Sequence, residues 1–461
     1  MFDFLKQPKG FYKGVVALMG PMMLQNMIAQ TVALTDTFMV GMLGERYLAA
    51  VTMALTPLFF LLILTLGVQS GVGILSSQYW GKGNLNAINR VMGIGIYTAL
   101  TMTLAGALAV FFFPHQILSI ISPDRVLVEL GVTYLRIAGF AQVCNAISLV
   151  YIASHRSMEN PRLGVIILSI SSVTSVFLNW VLIFGNLGFP ALGIQGAAIS
   201  TLIARGIEVV IICIHAFNNS RLKIQLSRLL APGIMITKDF FKYSLPIIFN
   251  EALWGFGFML FPVIFGHMAG AQTILAAFTI AGNIERFFSV AIFASGAATS
   301  VIIGREIGAG RIDNVKNVAK ALTSLGLLFG VAASILILVT RTTIIEPFVY
   351  PLFDLSVEAA AVTSTMLLIL AFAQPMRSLL FTIGLGVLRG GGDVKAFMII
   401  DVGTLYLIAL PIAAIAGLVI GADIAVVYSA FFFNSLAGFI LCVYRMRSGK
   451  WINDVTRDNV N

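Results

Sequence analysis

The sequence predicts an all-α polytopic membrane protein, with twelve transmembrane helices in two six-helix lobes related by a pseudo-two-fold axis along the membrane normal. Three observations lead there. The 461 residues are 59% hydrophobic and only 11% charged, where a soluble protein carries roughly 25% charged residues. Apolar runs long enough to cross a bilayer recur from end to end. Short patterns of the first half return, in order, in the second.

Twelve spans are expected at 14–40, 48–78, 91–113, 126–153, 163–185, 193–216, 241–268, 273–303, 317–340, 359–388, 395–418 and 423–444. Several exceed the ~20 residues that cross a bilayer, so tilt or extension beyond it is expected. The opening MFDFLKQPKGFYKG is basic and runs straight into the first span with no small-residue cleavage site, which reads as an uncleaved span. The N-terminus, the C-terminal tail and the loops after even-numbered spans hold 22 of the 29 Lys and Arg residues. Arg46, Arg125 and Arg341 lie in the opposite loops, and Arg136, Arg205, Arg286 and Arg377 within spans. That bias predicts a multi-pass protein of the inner (plasma) membrane with both termini in the cytoplasm. It also accounts for the net charge of +9 without a nucleic-acid partner.

The repeat appears at offsets of 227 to 233. LAAV at 48–51 returns as LAAF at 275–278, and Gly81-Lys82-Gly83 as Gly308-Ala309-Gly310. Phe140-Ala141-Gln142 returns as Phe372-Ala373-Gln374, and Arg156, four before Asn160, as Arg389, four before Asp393. Each half has an even number of spans, so both insert with the same orientation, a parallel repeat. The expected domains are an N-terminal lobe (1–216), a cytoplasmic linker (217–239), a C-terminal lobe (240–446) and a cytoplasmic tail (447–461).

The stretch GPMMLQNMIAQTVALTDTFMVGMLG at 20–44 carries one acid, Asp36, and no basic residue lies between Lys13 and Arg46. Holding a carboxylate in hydrocarbon costs several kcal/mol, so Asp36 faces water or a cation, or stays protonated. At the repeat offset Asp36 falls on Val263, and Glu251 on Leu24. Residues common to both halves build the fold, so these unmatched buried acids are candidates for chemistry. Counting along the spans puts Asn179, Ser175 and Thr201 in the same outer layer as Asp36. A carboxylate with amide and hydroxyl oxygens suits a hard cation such as Na+, and a buried carboxylate alone suits a proton. Polar residues that only bond backbone or neighbouring helices are the competing reading.

In the second half, Glu251, Glu285 and Arg286 count to the midplane, where an acid facing a cavity could attract a cationic substrate; a Glu251–Arg286 pair serving only structure is the alternative. Arg205 and Glu208, three apart on one helix, are expected to pair. Pro21, fifteen residues before Asp36, frees a backbone carbonyl and marks a conformational hinge.

Cys144, Cys213 and Cys442 fall inside apolar runs and read as packing residues. The four histidines sit near span ends without metal-type spacing. GVLRGGGD at 386–393 lacks the Gly-Lys-Ser/Thr of a phosphate loop, and there is no HExxH or nucleophile elbow. The chain does not read as an enzyme.

Taken in order, ALTDTFMVGMLGERYLAAV (33–51) after Pro21, QYWGKGN (78–84), RSMENPR (156–162), LNWVLIFG (178–185), LGIQGAAIST (192–201), YSLPIIFNEAL (243–253) and IGREIGAGRIDNV (303–315) resemble the multidrug and toxic compound extrusion (MATE) family over nearly the whole chain. The resemblance implies a two-lobe, V-shaped, monomeric antiporter that exports small cationic or amphiphilic organic compounds or drugs through the lipid membrane in exchange for Na+ or H+. It places Asp36 at the family's span-1 acid, Asn179 and Ser175 at its span-5 polar positions and Thr201 at its span-6 hydroxyl; Asp36, Asn179 and Thr201 would hold Na+ in a sodium-coupled protein. Glu251 matches the span-7 acid of one subgroup. The span-10 acid of that subgroup is missing here, where Arg377 and Ser378 stand instead. Two alternatives remain: a lipid-linked precursor flippase of the same superfamily, and a channel or non-transporting scaffold.

Overall fold

The structure is a computed structural model that describes residues 7–218, 233–352 and 355–457. Among these residues there is no strand, and twelve helices are long and apolar enough to cross a membrane. The first six are α1 (Lys9–Gly41), α2 (Glu45–Gly81), α3 (Leu85–Phe112), α4 (Arg125–Ser157), α5 (Arg162–Phe184) and α6 (Ile194–Asn218). Then come α7 (Ile234–Gly266), α8 (in two pieces, Ala271–Phe288 and Val290–Gly308), α9 (Ile312–Val349), α10 (Val357–Leu388), α11 (Val394–Ile420) and α12 (Ile424–Arg447). A short helix, Pro114–Ile121, joins α3 to α4. Residues 219–232, most of the expected linker, lie outside the described residues.

Two spans depart from the simple reading. The span expected as continuous over 273–303 breaks at Ser289. The Ser289 hydroxyl donates to the Glu285 carboxylate, while its backbone N–H bonds the Glu285 carbonyl at 2.9 Å. The ladder bond at Ser289 is therefore kept, and the interruption is a single turn residue whose hydroxyl is spent on the Glu285 side chain. The span expected to end at 340 instead continues as wide π-helical turns to Val349, with Pro347 inside them. Proline offers no N–H to an α-helical ladder, and the wider turn accommodates the mismatch.

The chain forms two compact units. The C-unit holds the chain up to Met23 together with Leu253–Thr456; the N-unit holds Leu24–Ala252 and continues from Arg457. α1 therefore passes from one unit to the other just beyond Pro21, whose ring leaves the Ala17 carbonyl without its N–H partner. α7 changes unit immediately after Ala252.

In the N-unit, α4 is the central post, packed along α2, α3 and α6. Small residues let the helices close up. A Cβ on Gly71 of α2 would stand 2.6 Å from the Cβ of Ser244 in α7, so only glycine permits that approach. In the C-unit, Phe261, Phe265 and Tyr428 are buried among further rings, with Phe261 stacked on Phe431 at 4.4 Å. Aromatic pairs of this kind add about 0.5–1.5 kcal/mol each beyond area burial.

The internal repeat is visible as identical turns. At the end of α2, Asn84 N–H reaches Tyr79 O at 3.0 Å, and at the end of α8, Arg311 N–H reaches Glu306 O at 3.0 Å. The intervening Gly83 (φ 72°) and Gly310 (φ 73°) are both left-handed, the conformation that closes a helix C-terminus. After α4 and α10 the pattern returns, with Asn160 N–H on His155 O and Asp393 N–H on Leu388 O, both at 2.9 Å.

The segment after α12 is packed, not loose. Trp451 is 1% exposed, its indole donates to Met446 O at 2.8 Å, and Asn453 N–H bonds Gly391 O at 2.9 Å.

Candidate functional site

Asp36 lies five residues before the end of α1, flanked by two threonines whose side chains turn inward on the helix. Thr35 Oγ1 donates to Thr31 O at 2.9 Å and Thr37 Oγ1 to Ala33 O at 2.7 Å. This satisfies both hydroxyls within α1, so the carboxylate finds its partners on other helices. Asn179 of α5 supplies one: its Nδ2 donates to Asp36 Oδ1 at 2.6 Å. Asn179 is 1% exposed, and its Oδ1 has no hydrogen-bond partner in the protein. A buried, unmatched amide oxygen costs about 1–3 kcal/mol. Here it sits beside a carboxylate, which gives two kinds of oxygen to whatever positive group enters.

Ser175 is one turn from Asn179 on the same face of α5 and is buried. Thr201 stands on α6, half-buried, with its hydroxyl donating to Ala197 O at 3.0 Å. That bond uses the proton and leaves the oxygen lone pairs for a cation. One turn further along α6, Arg205 donates to Glu208 Oε1 at 2.6 Å, the pair expected from their spacing. Arg205 also acts electrostatically on Asp36, as Asp36 does on Tyr134 of α4. Of the residues singled out in sequence, the structure joins Asp36 to Asn179 directly. The roles of Tyr134 and Arg205 were not legible, because each depends on which helices α1 lies against.

The acids of the second half separate. Glu251 is half-buried on α7 in the N-unit, whereas Glu285 and Arg286 belong to the C-unit. Glu285 is the acceptor of Arg377 Nη1 at 2.5 Å, with Gln374 Nε2 at 3.5 Å and the Ser289 hydroxyl completing a polar knot. Arg377 also lies over Phe381 at 5.5 Å and Phe293 at 6.0 Å. Arg286, next in sequence to Glu285, is exposed. Sequence reasoning gave Arg377 little weight, since nothing in spacing links α10 to α8. On α10, Arg377 is the cation that neutralises Glu285.

Comparison with known proteins agrees with this layout. The family model described as MatE matches residues 21–181 and 246–415. The chain is similar to a Bacillus subtilis protein described as the uncharacterized transporter YisQ, 24% identical over 448 residues and 97% of each chain. It is also similar to the probable multidrug resistance protein NorM of Pasteurella multocida, 24% identical over 398 residues, 85% of this chain and 83% of that protein. Among solved structures, the eukaryotic MATE transporter AtDTX14 superposes with a TM-score of 0.86 at 18% identity, covering 98% of each chain. A mutant of the Vibrio cholerae MATE transporter VcmN gives 0.82 at 19% identity over 95% of each.

Proposed function

The chain belongs to the MatE family of multidrug efflux transporters, and on that premise we propose that it is a secondary antiporter of the plasma membrane, both termini cytoplasmic, exporting cationic or amphiphilic organic compounds in exchange for Na+ or H+. The observation that carries this reading is the contact between half-buried Asp36 and buried Asn179, with its unmatched Asn179 oxygen. Asp36 supplies the charge, Asn179 Oδ1 and Thr201 Oγ1 supply neutral oxygens, and Ser175 offers a further hydroxyl one turn deeper. A proton needs only the carboxylate of this set; Na+ uses all of it.

Coupling follows from mutual exclusion between two states. With Asp36 ionised and empty, the protein favours the state that accepts the organic cation from the cytoplasm. Occupation of Asp36 from outside removes that charge and favours release. α1 is the mechanical link, since it carries Asp36 in one unit and runs through Pro21 into the other. An ion moves such an equilibrium only by its difference in affinity for the two states, and a lone buried carboxylate gives a large difference.

For the substrate, we assign the cation-facing role to Glu251 and a structural role to the Glu285–Arg377 pair, with Arg286 at the edge of the same region. The reading is tested by Asp36→Asn in cells loaded with a fluorescent cationic dye. Efflux is expected to fall to the background of cells lacking the protein, at equal protein in the membrane. Undiminished efflux by that variant would overturn it.

A further inference from the structure

Three helices of the N-unit turn polar stripes toward one another. On α6 the stripe is Thr201, Arg205, Glu208 and His215, which keep one face, with the buried Ile212 between the last two. On α5 it is Ser171, Ser175 and Asn179, all buried. On α4 it is Asn145, Ser148 and His155, also buried, with Tyr151 beside them. α6 packs against both α4 and α5. Buried polar groups are costly in a membrane lobe, so a file of them from one end to the other calls for a use.

The file ends at the basic face in a cluster that the antiport reading does not employ. Tyr151 Oη lies 2.8 Å from His215 Nδ1. His155 packs against Tyr151 with ring centroids 4.3 Å apart and planes tilted by 39°, and meets His215 edge-on at 5.3 Å. His155 is 2% exposed and its Nδ1 bonds Tyr151 O at 3.1 Å; His215 is half-buried, the outermost of the three. Two turns inward on the His215 face is Glu208, 0% exposed. Its Oε1 takes the Arg205 bond and its Oε2 has no hydrogen-bond partner in the protein. The rise from Glu208 to His215 along α6 is about 10 Å, a distance that a relay through one or two waters and the Tyr151 hydroxyl would span.

We propose that Tyr151 and His215 form a proton port connecting the Glu208 interior of the N-unit to the basic face, with His155 as the residue that positions them. The inference rests on the antiport reading and, within it, selects the proton as the coupling ion. The transfer balances. A proton taken up at Glu208 Oε2, the oxygen that Arg205 does not hold, passes on through water to Tyr151 Oη, the phenol's own proton moves to His215 Nδ1, and the proton on His215 Nε2 leaves to water, so Glu208 returns to its carboxylate form. One proton enters, one departs, and ring rotation restores the tautomer. An imidazole and a phenol carry a proton but offer Na+ no set of hard oxygens. The titratable groups facing His215 are few. α4 brings Tyr151 and His155, with Cys144 and Arg156 on the same helix; α5 has only Arg162, at its first position; α6 itself carries Cys213, Glu208 and Arg205.

The test uses the purified full chain in proteoliposomes, with ethidium as the cation, a pH dye and a Na+ dye inside. Ethidium exchange by the wild type is expected to move protons, with a rate that depends on pH at the basic face. His215→Gln and Tyr151→Phe are each expected to slow proton-coupled exchange by at least about tenfold, within the range for a positioned acid–base group, and to flatten that pH dependence. Ethidium binding, measured by anisotropy, should stay unchanged. Added imidazole should partly restore His215→Gln. Tyr151→Phe removes one oxygen and keeps the ring, so it remains informative where the histidine variant fails to fold. Wild-type rates, proton yield and pH profile in both variants would overturn the port. Sodium movement without proton movement in the wild type would also overturn it while leaving the antiporter standing; ethidium flux with neither ion moving would overturn the antiport reading itself.

Discussion

The two units share one plan and differ in what fills it. The N-unit holds isolated polar groups wholly or partly buried: half-buried Asp36 against Asn179, Glu208 with one oxygen unmatched, and Tyr151 with half-buried His215. The C-unit buries rings and a neutralised charge: Phe261 on Phe431, Trp254 on Phe258 at 5.3 Å, and Glu285 closed by Arg377. Among the described residues, the π-helical turns all lie in α9, α10 and α11, in the C-unit. The turns at the ends of α2 and α8 keep the same hydrogen bonds, so the fold has been held constant while the interiors diverged. The two units thus share the turns that end their helices and differ in the polar and aromatic residues between them.

The comparison breaks at Asp36 if it is wrong. Asp36→Asn should remove transport entirely, read as dye efflux, whereas loss of the C-unit carboxylate as a matched pair should not. Arg377→Met alone leaves Glu285 without its cation, a change expected to cost about 3–5 kcal/mol by analogy with broken buried pairs. It should appear as a lowered melting temperature in detergent. Glu285→Leu with Arg377→Met should recover most of that stability and retain efflux, and loss of efflux in the stable double variant would make the C-unit pair functional. Asn179→Leu removes one neutral oxygen and is expected to leave proton-driven efflux in place, whereas a sodium-driven exchanger would lose about tenfold in ion affinity, or ~1.4 kcal/mol; Asn179→Asp keeps an oxygen in place and retains exchange, and titrating efflux against Na+ and against pH checks both. The smallest effect concerns the repeat. Glu159, at φ 58°, occupies the place of Gly392, at φ 80°. A Cβ on Gly392 would meet Val455 Cγ1 at 2.5 Å and Asn453 O at 3.2 Å. Glu159→Gly should stabilise by about 0.5–1 kcal/mol by relieving the left-handed strain, and Gly392→Ala should destabilise, both seen in thermal melts.

Much of this was legible in sequence because membrane solvation leaves few choices. Span number followed from apolar runs, the repeat from short patterns such as LAAV and LAAF returning at a near-constant offset, and Asp36 from the cost of one acid without a cation. The Arg205–Glu208 pair followed from spacing on one helix. Partners on different helices were not legible. Arg377 meets Glu285 across 92 positions and Tyr151 meets His215 across 64, separations that only packing fixes. The break at Ser289 was hidden because a serine inside an apolar run reads as an ordinary helical residue until its hydroxyl is seen on Glu285. The packing of Trp451 was hidden likewise, since a tail rich in polar residues gives no periodic signal.

The central claim is exchange through the N-unit carboxylate, and it is tested most directly in proteoliposomes that impose Na+ and pH gradients separately on wild type and Asp36→Asn. Uphill movement of an organic cation is expected in the wild type, driven by one of the two gradients and reversed when that gradient is reversed, with no gradient-driven movement in the variant. Movement that only follows the cation's own gradient, equal in both proteins, would contradict it.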